Sequence, residues 1–236
     1  MAGSSIWETI TDVLRSEIAA GHYGAGDKLP TEATLSARFG VNRHTVRRAL
    51  QSMSEAGLVH SRRGSGVFVA QTPTDYPIGR RTRFHANLTA AGRLPGKRLL
   101  SNVTRKASAK EAEALALDIG AAVHVCEGLS LLDGQPVALY RSVFPADRLP
   151  SLPAALNRHS SITQALKDCG VTDFTRSETR LNAKTANPTQ ALHLMIDEGA
   201  PILRTIAINI DLAGQPIEYG RTWFCGERIT LTVHDA

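Results

Sequence analysis

Residues 29–69, LPTEATLSARFGVNRHTVRRALQSMSEAGLVHSRRGSGVFV, leave little freedom in what this chain can become. Phe39-Gly40-Val41 is a tight connection, and Gly40 can take the positive φ that ends a helix. Asn42 stands where a side-chain oxygen can cap the next helix. Val46, Ala49, Leu50 and Met53 follow at i, i+3, i+4 and i+7, one apolar stripe. His44, Arg47, Arg48 and Gln51 fall on the other side. A short helix, a tight turn and a longer basic helix with one buried stripe fit a helix-turn-helix that enters a DNA major groove. Leu58–Ser61 and Gly66–Val69 are strand candidates around Arg62-Arg63-Gly64-Ser65, a wing whose glycine lets the backbone approach DNA closely. Between Asn42 and Arg63 stand five arginines and one acid, Glu55. Any one of these features alone fits a solvated basic helix beside an ordinary turn; their order and spacing point to a winged helix.

The same residues carry a resemblance. LPTE, FGV, Arg43, TVR, AL and the GxG before Phe68-Val69 make residues 5–70 similar to the N-terminal domain of the GntR family of bacterial transcription factors. The resemblance implies DNA contacts from Arg43, Thr45 and Arg47 on the recognition helix and from Arg63 and Gly64 on the wing. Thr31, Asn42, His44, Arg48 and Arg62 complete the expected DNA-facing set. Many family members carry an arginine after the glutamate of the second helix; here Ala33 stands there, with Thr31 and Thr34 nearby.

A length of 236 residues allows two modest domains, and 42% hydrophobic with 21% charged residues is ordinary for a globular chain. No run of eighteen apolar residues exists and the first residues have no secretion-signal pattern, so no membrane partner and a cytoplasmic location are expected. Cys126, Cys169 and Cys225 are odd in number and far apart, suited to a reducing compartment and without metal-ligand spacing. The formal charge of +5 suits a polyanionic partner. Expected boundaries are 1–70 for the DNA-binding domain, 71–79 for a proline-bearing linker and 80–236 for a second domain.

In the second domain a short helix is expected over 85–91 and a strand over 97–106, followed by a capping box at Ser108–Glu111. Residues 112–144 and 190–224 then repeat one plan of helix, glycine, strand, turn and strand. Gly134-Gln135-Pro136 recurs as Gly214-Gln215-Pro216, and the same offset pairs Arg141 with Arg221 and Phe144 with Phe224. Such hairpins predict an α+β fold with an antiparallel sheet made of two related halves. No nucleophile elbow, P-loop, HExxH or dinucleotide fingerprint occurs, so no catalytic residue, metal or cofactor is expected. Arg141 and Arg221 share strand parity with apolar residues and need either an anion or a carboxylate such as Glu218 or Glu178. Arg176, Glu178 and Arg180 are expected on one face of an extended segment.

This half also carries a resemblance. RTRFHANLTAAGR, the SIT–GV–DFTR–TRL run and GQPIEYGRTWFCGERITLTV resemble the ligand-sensing domain of the HutC subgroup of GntR regulators, which shares the chorismate-lyase fold. Within it they resemble regulators of phosphonate utilisation, the PhnF type. The resemblance implies a homodimeric regulator, a repressor, that binds a pseudo-palindromic double-stranded operator and a small anionic effector such as a phosphonate or phosphate ester. It places the anion near Arg83, Phe84 and His85 and beside Ser161 and Thr163, with Arg176, Arg180, Tyr219 or Arg221 supplying more of the site. The arginines that sugar-phosphate sensors carry before the first hairpin turn are Gly128 and Ser130 here. Alternatives are chorismate-lyase-like catalysis, or sensing of a sugar phosphate or another carboxylate.

Overall fold

Gly40 ends a helix at φ 65°, and Asn42 starts the next by accepting the Thr45 amide at 2.8 Å. This turn lies in a computed structural model that describes residues 5–62, 64–71, 73–81, 84, 88–89, 92, 94–159 and 161–233. The chain divides into two units, residues 1–72 and 73–236.

The first unit contains helices α1 (Ile6–Ala19), α2 (Glu32–Phe39) and α3 (Arg43–Glu55) and strands β1 (Val59–Arg62) and β2 (Gly66–Val69). The expected stripe of α3, Val46, Ala49, Leu50 and Met53, is buried against Ile10 and Leu14 of α1 and Leu35 of α2. β1 and β2 pair antiparallel as the wing. Residues 26–29 extend the wing, with the Leu29 amide donating to the Val67 carbonyl and the Val69 amide to the Asp27 carbonyl. Gly66, at φ 117°, lies under the Lys28 side chain; an added Cβ would come within 2.7 Å of it. The Lys28 end could swing aside, but the positive φ would strain any other residue at that position.

The second unit opens with a correction. The stretch expected to be a linker supplies strand β3 (Thr74–Pro77), which pairs parallel with the last strand, β10 (Ile229–Thr232). Tyr76 on β3 is buried against Phe224, because an aromatic between two prolines can still cover a core. Most of the helix expected over 85–91 lies outside the described residues.

A six-stranded antiparallel sheet follows, in the order β4-β5-β6-β9-β8-β7. Its strands are β4 (Pro95–Lys106), β5 (Ala122–Leu132), β6 (Gln135–Pro145), β7 (Phe174–Thr185), β8 (Pro201–Asp211) and β9 (Pro216–Cys225). The order is two-fold: β4, β5 and β6 of one half face β7, β8 and β9 of the other. Arg141 of β6 lies directly opposite its sequence counterpart Arg221 of β9, so a pseudo-dyad passes between them. The bulges repeat too, at 99/101 and 130/131 in the first half and at 176/178 and 209/210 in the second.

Helices α4 (Ala109–Leu115) and α7 (Pro188–Leu194) belong to the repeat; α5 (Leu152–Arg158) and α6 (Ile162–Asp168) lie between the halves. α4 starts at the expected capping box, and Asn187 caps α7. Leu115 packs with Val123, Val143 and Tyr219, and Leu194 with Trp223 and Leu139, so α4 and α7 cover one sheet face. Leu152, Leu156 and Leu166 pack with Tyr140, Phe144 and Phe174 on the other. Arg228, buried, closes the end of α7 by donating to the carbonyls of Leu194 and Met195, and it also donates to Pro136. A strip of sheet between α6 and β3 stays open, and the site lies there.

Candidate DNA-binding surface and effector cavity

On the first unit, α3 presents its exposed side away from the buried stripe. Arg43 and His44 at its start are exposed. Thr45 donates its hydroxyl to the Asn42 oxygen at 3.0 Å, so both polar side chains brace the first turn. Arg47 makes two bonds to Glu32, at 3.1 and 2.8 Å, and this holds the guanidinium toward α2. Arg47 is exposed and Glu32 half-buried, and the carboxyl of Glu32 is held below its usual range by the Arg47 hydrogen bond. Arg48 lies 4.7 Å over the Trp7 ring, toward α1. Thr31 caps α2 through the Thr34 amide. On the wing Arg62 packs 4.3 Å over the Phe68 ring, and Gly64 turns the tip at φ 71°. Arg63 lies outside the described residues. The surface thus brings together Arg43, His44 and Arg47, whereas Arg48 and Arg62 rest against aromatic rings.

On the second unit, the open strip of sheet forms a cavity of about 100 Å³. Tyr76, Ile78 and Phe84 form one wall, and Ser161, Ile162 and Thr163 form another. The sheet floor contributes Lys97, Ser130, Tyr140, Ser142, Arg176, Thr205, Asn209, Glu218, Gly220 and Thr222. Strand alternation explains this set, because Glu218, Gly220, Thr222 and Phe224 are successive same-side positions of β9. The Arg176 amide donates to the Arg80 carbonyl at 2.8 Å, and Arg81 pairs with Asp173 at 2.8 Å, tying the segment before Phe84 to β7.

The floor is polar and charged. Lys97 Nζ sits 4.4 Å over the Tyr140 ring; desolvation lowers its pKa to about 8, against the opposing pull of Glu218. Arg176 Nε donates to Asn209 Oδ1 at 3.3 Å, and Asn209 Nδ2 donates to Glu218 Oε2 at 2.6 Å. Ser142 donates to Glu218 Oε1, also at 2.6 Å. Lys97 and Arg176 are related by the pseudo-dyad, each opposite the residue before a bulge, Ser130 and Asn209.

Of the residues expected at the effector site, Phe84, Ser161, Thr163 and Arg176 meet around this cavity. Ser161 caps α6, accepting the Gln164 amide at 3.4 Å. α6 spans only seven residues, so positive potential in the cavity comes from Lys97 and Arg176 rather than from the helix end. Arg83 and His85 lie outside the described residues. Arg180, Tyr219 and Arg221 are not part of the cavity. The bulge between Arg176 and Glu178 reverses the alternation of β7, so Arg180 pairs with Glu178 on the far face instead of sharing a side with Arg176. Tyr219 and Arg221 have the odd parity of β9, under α4; Arg221 packs 5.2 Å over the Tyr219 ring and donates to its hydroxyl at 3.2 Å. Arg141 finds Glu127 at 3.5 Å and Glu111 at 3.7 Å. Lys97, Asn209 and Tyr140 were not expected from the sequence. The signal available for them was the polar even-numbered stripe of β9, which a sheet covered on both faces would not tolerate without a purpose.

Comparison with known proteins supports both halves. Residues 7–69 match the gntR family of bacterial regulatory proteins, and residues 90–230 match the UTRA domain. The chain is a GntR-family transcriptional regulator with a UTRA domain. An uncharacterized HTH-type transcriptional regulator of Rhizobium meliloti is 35% identical over 98% of this chain and 95% of its own. The "Probable transcriptional regulator PhnF" of Escherichia coli is 35% identical over 90% of this chain and 88% of its own. The crystal structure of PhnF from Mycobacterium smegmatis superposes with a TM-score of 0.67 at 26% identity, covering 98% of this chain and 99% of that one. The relatives are regulators and not enzymes. Among the described residues no helix of this GntR-family regulator is long and apolar enough to cross a membrane, and no three His, Cys, Asp or Glu side chains group as a metal site.

Proposed function

We propose that this regulator is a cytoplasmic, homodimeric repressor of a metabolic operon for phosphonate use. Its affinity for a pseudo-palindromic operator is set by a small phosphonate or phosphate ester in the cavity of the second unit. One observation carries the reading: two cations, Lys97 and Arg176, face one cavity floored by hydroxyls, and neither has a carboxylate within 4.0 Å among the described residues. Arginine can hold two oxygens of a tetrahedral anion at once, and an ammonium adds a point charge. Gly128 and Ser130 take no charge to the first hairpin, and Lys97, directly opposite Ser130, brings one from the neighbouring strand. On the DNA side, a single winged helix makes few base contacts, and a two-fold dimer would set two of them on one palindrome.

The test starts with selection of bound sequences from a random duplex pool by the full chain. The recovered duplex is then titrated with methylphosphonate, glycerol phosphate, a hexosamine phosphate and chorismate. A palindromic operator whose affinity changes with phosphonate or phosphate ester, and not with chorismate, is the expected result. Arg47→Ala should weaken operator binding by about 1–3 kcal/mol, since Arg47 would leave Glu32 for a base edge. Recovery of no preferred sequence, or no response to any tetrahedral anion, would overturn the reading.

A further inference from the structure

Glu218 is the odd member of the cavity floor. It is 8% exposed, and both of its oxygens accept from neutral donors, Ser142 and Asn209 at 2.6 Å. Among the described residues no lysine, arginine or histidine nitrogen lies within 4.0 Å of it. A buried carboxylate without a cation is costly, and each of its oxygens retains lone-pair capacity for one more donor. Neither cation of the same floor pairs with it directly: Lys97 rests on the Tyr140 ring, and Arg176 reaches Glu218 only through the amide of Asn209. Beside Glu218 the chain has Gly220, where even an added Cβ would sit 3.7 Å from Oε1, so the carboxylate is open to an occupant on that side.

The three charges of the floor therefore sum to one positive charge, with one negative group among two positive ones that it does not touch. A plain dianion would meet Lys97 and Arg176 but be repelled by Glu218. A molecule with a tetrahedral oxyanion at one end and a protonated amine a few bonds away satisfies all three and complements their net charge. We infer that the cavity binds a zwitterion, an aminoalkyl phosphonate or the corresponding amino phosphate ester, with Glu218 as the residue that selects the amine. This rests on the anion-sensing reading above.

Calorimetric titration of the full chain compares 2-aminoethylphosphonate with propylphosphonate, in which a methyl group replaces the ammonium. O-phosphoethanolamine and propyl phosphate form a second pair that separates a phosphonate source from an ester source. The amine-bearing member of at least one pair should bind at least tenfold more tightly. Glu218→Gln should shrink that ratio to below twofold, weakening the amine-bearing member and tightening propylphosphonate, which no longer meets the repulsion. Equal binding of both members by the wild-type chain overturns the zwitterion inference and leaves the anion reading intact. Undiminished selectivity in Glu218→Gln overturns the role of Glu218. Failure of every tetrahedral anion overturns the anion reading itself. Should Glu218→Gln not fold, the wild-type ratios decide alone.

Discussion

The two faces of the six-stranded sheet treat their charges in opposite ways. Under α4, Arg141 and Arg221 stand directly opposite each other, a like-charge pair that would repel. Each is drawn off by a partner from the fold: Arg141 by Glu127 and Glu111, Arg221 by the Tyr219 ring and hydroxyl. Glu111 is itself clamped by two 2.8 Å bonds from Arg105. On the cavity face, Lys97, Arg176 and Glu218 hold rings, amides and hydroxyls, and among the described residues none of them pairs with an opposite charge. Charges matched within the chain serve the fold, and charges left unmatched around an opening are available to whatever enters it.

The sharpest way to break this comparison is Glu111→Gln. Glu111 is 4% exposed, and its hydrogen bonds from Arg105 hold its carboxyl near pKa 2, down from 4.5. Its loss should destabilise the second unit by about 3 kcal/mol at pH 7, read from urea unfolding. The depressed pKa means that this stabilisation is complete above pH 4.5 and fades as pH falls toward 2, so the gap between wild type and variant should close on acidification. Equal stability at neutral pH would show that this face does not depend on its ion pairs.

Next in size, Lys97→Met should lower phosphate-ester or phosphonate affinity by tenfold or more without loss of stability. The lowered pKa of Lys97 makes its charged form a burden to the folded state below pH 8, one that eases as pH rises from 8 toward 10.5. Removing the ammonium should therefore be neutral or stabilising by on the order of 1 kcal/mol at pH 7. A fall in stability matching that of Glu111→Gln would make the two faces alike.

A smaller effect sharpens the same point. Anion affinity should decline as pH is raised through about 8, where Lys97 loses its proton beside Tyr140, Glu218 and Arg176. Lys97→Arg, facing the same ligand ionisation, should keep its affinity to higher pH. Identical profiles for the two proteins would remove Lys97 from the site. The smallest change is expected for Arg221→Met, less than about 0.5 kcal/mol in stability and nothing in anion binding, because its contacts are part-exposed.

The first unit was legible because its signals are local. Gly40, Asn42 and the stripe from Val46 to Met53 act within a few residues of one another, and the structure uses each as expected. In the second unit the duplication was equally plain, since its turns and helix caps repeat at one offset. The facing of side chains was not legible. A single extra residue at Ser177 turns Arg176 toward the cavity and Glu178 and Arg180 away from it, and nothing in the composition of the strand marks where the bulge falls. The parity of β9 is visible in the sequence, but an arginine among its apolar residues points equally to an anion or to a carboxylate; the structure covers that side with α4. Strand β3 is hidden in the sequence by Pro73 just before it and Pro77 at its end, and its pairing with β10 joins residues more than 150 positions apart.

The repeat also explains why the cavity has a direction. Positions on its face correspond in pairs across the axis: Phe144 with Phe224, Ser142 with Thr222, Tyr140 with Gly220, and Ala138 with Glu218. The first two pairs keep their character, and Lys97 and Arg176 add one cation from each half. Had all the pairs matched, an occupant could enter in either of two orientations related by half a turn, and nothing would tell them apart. Tyrosine against glycine puts bulk on one side and room on the other, and alanine against glutamate puts negative charge at one end only. A frame that is even about its axis thus acquires a head and a tail from two unequal pairs.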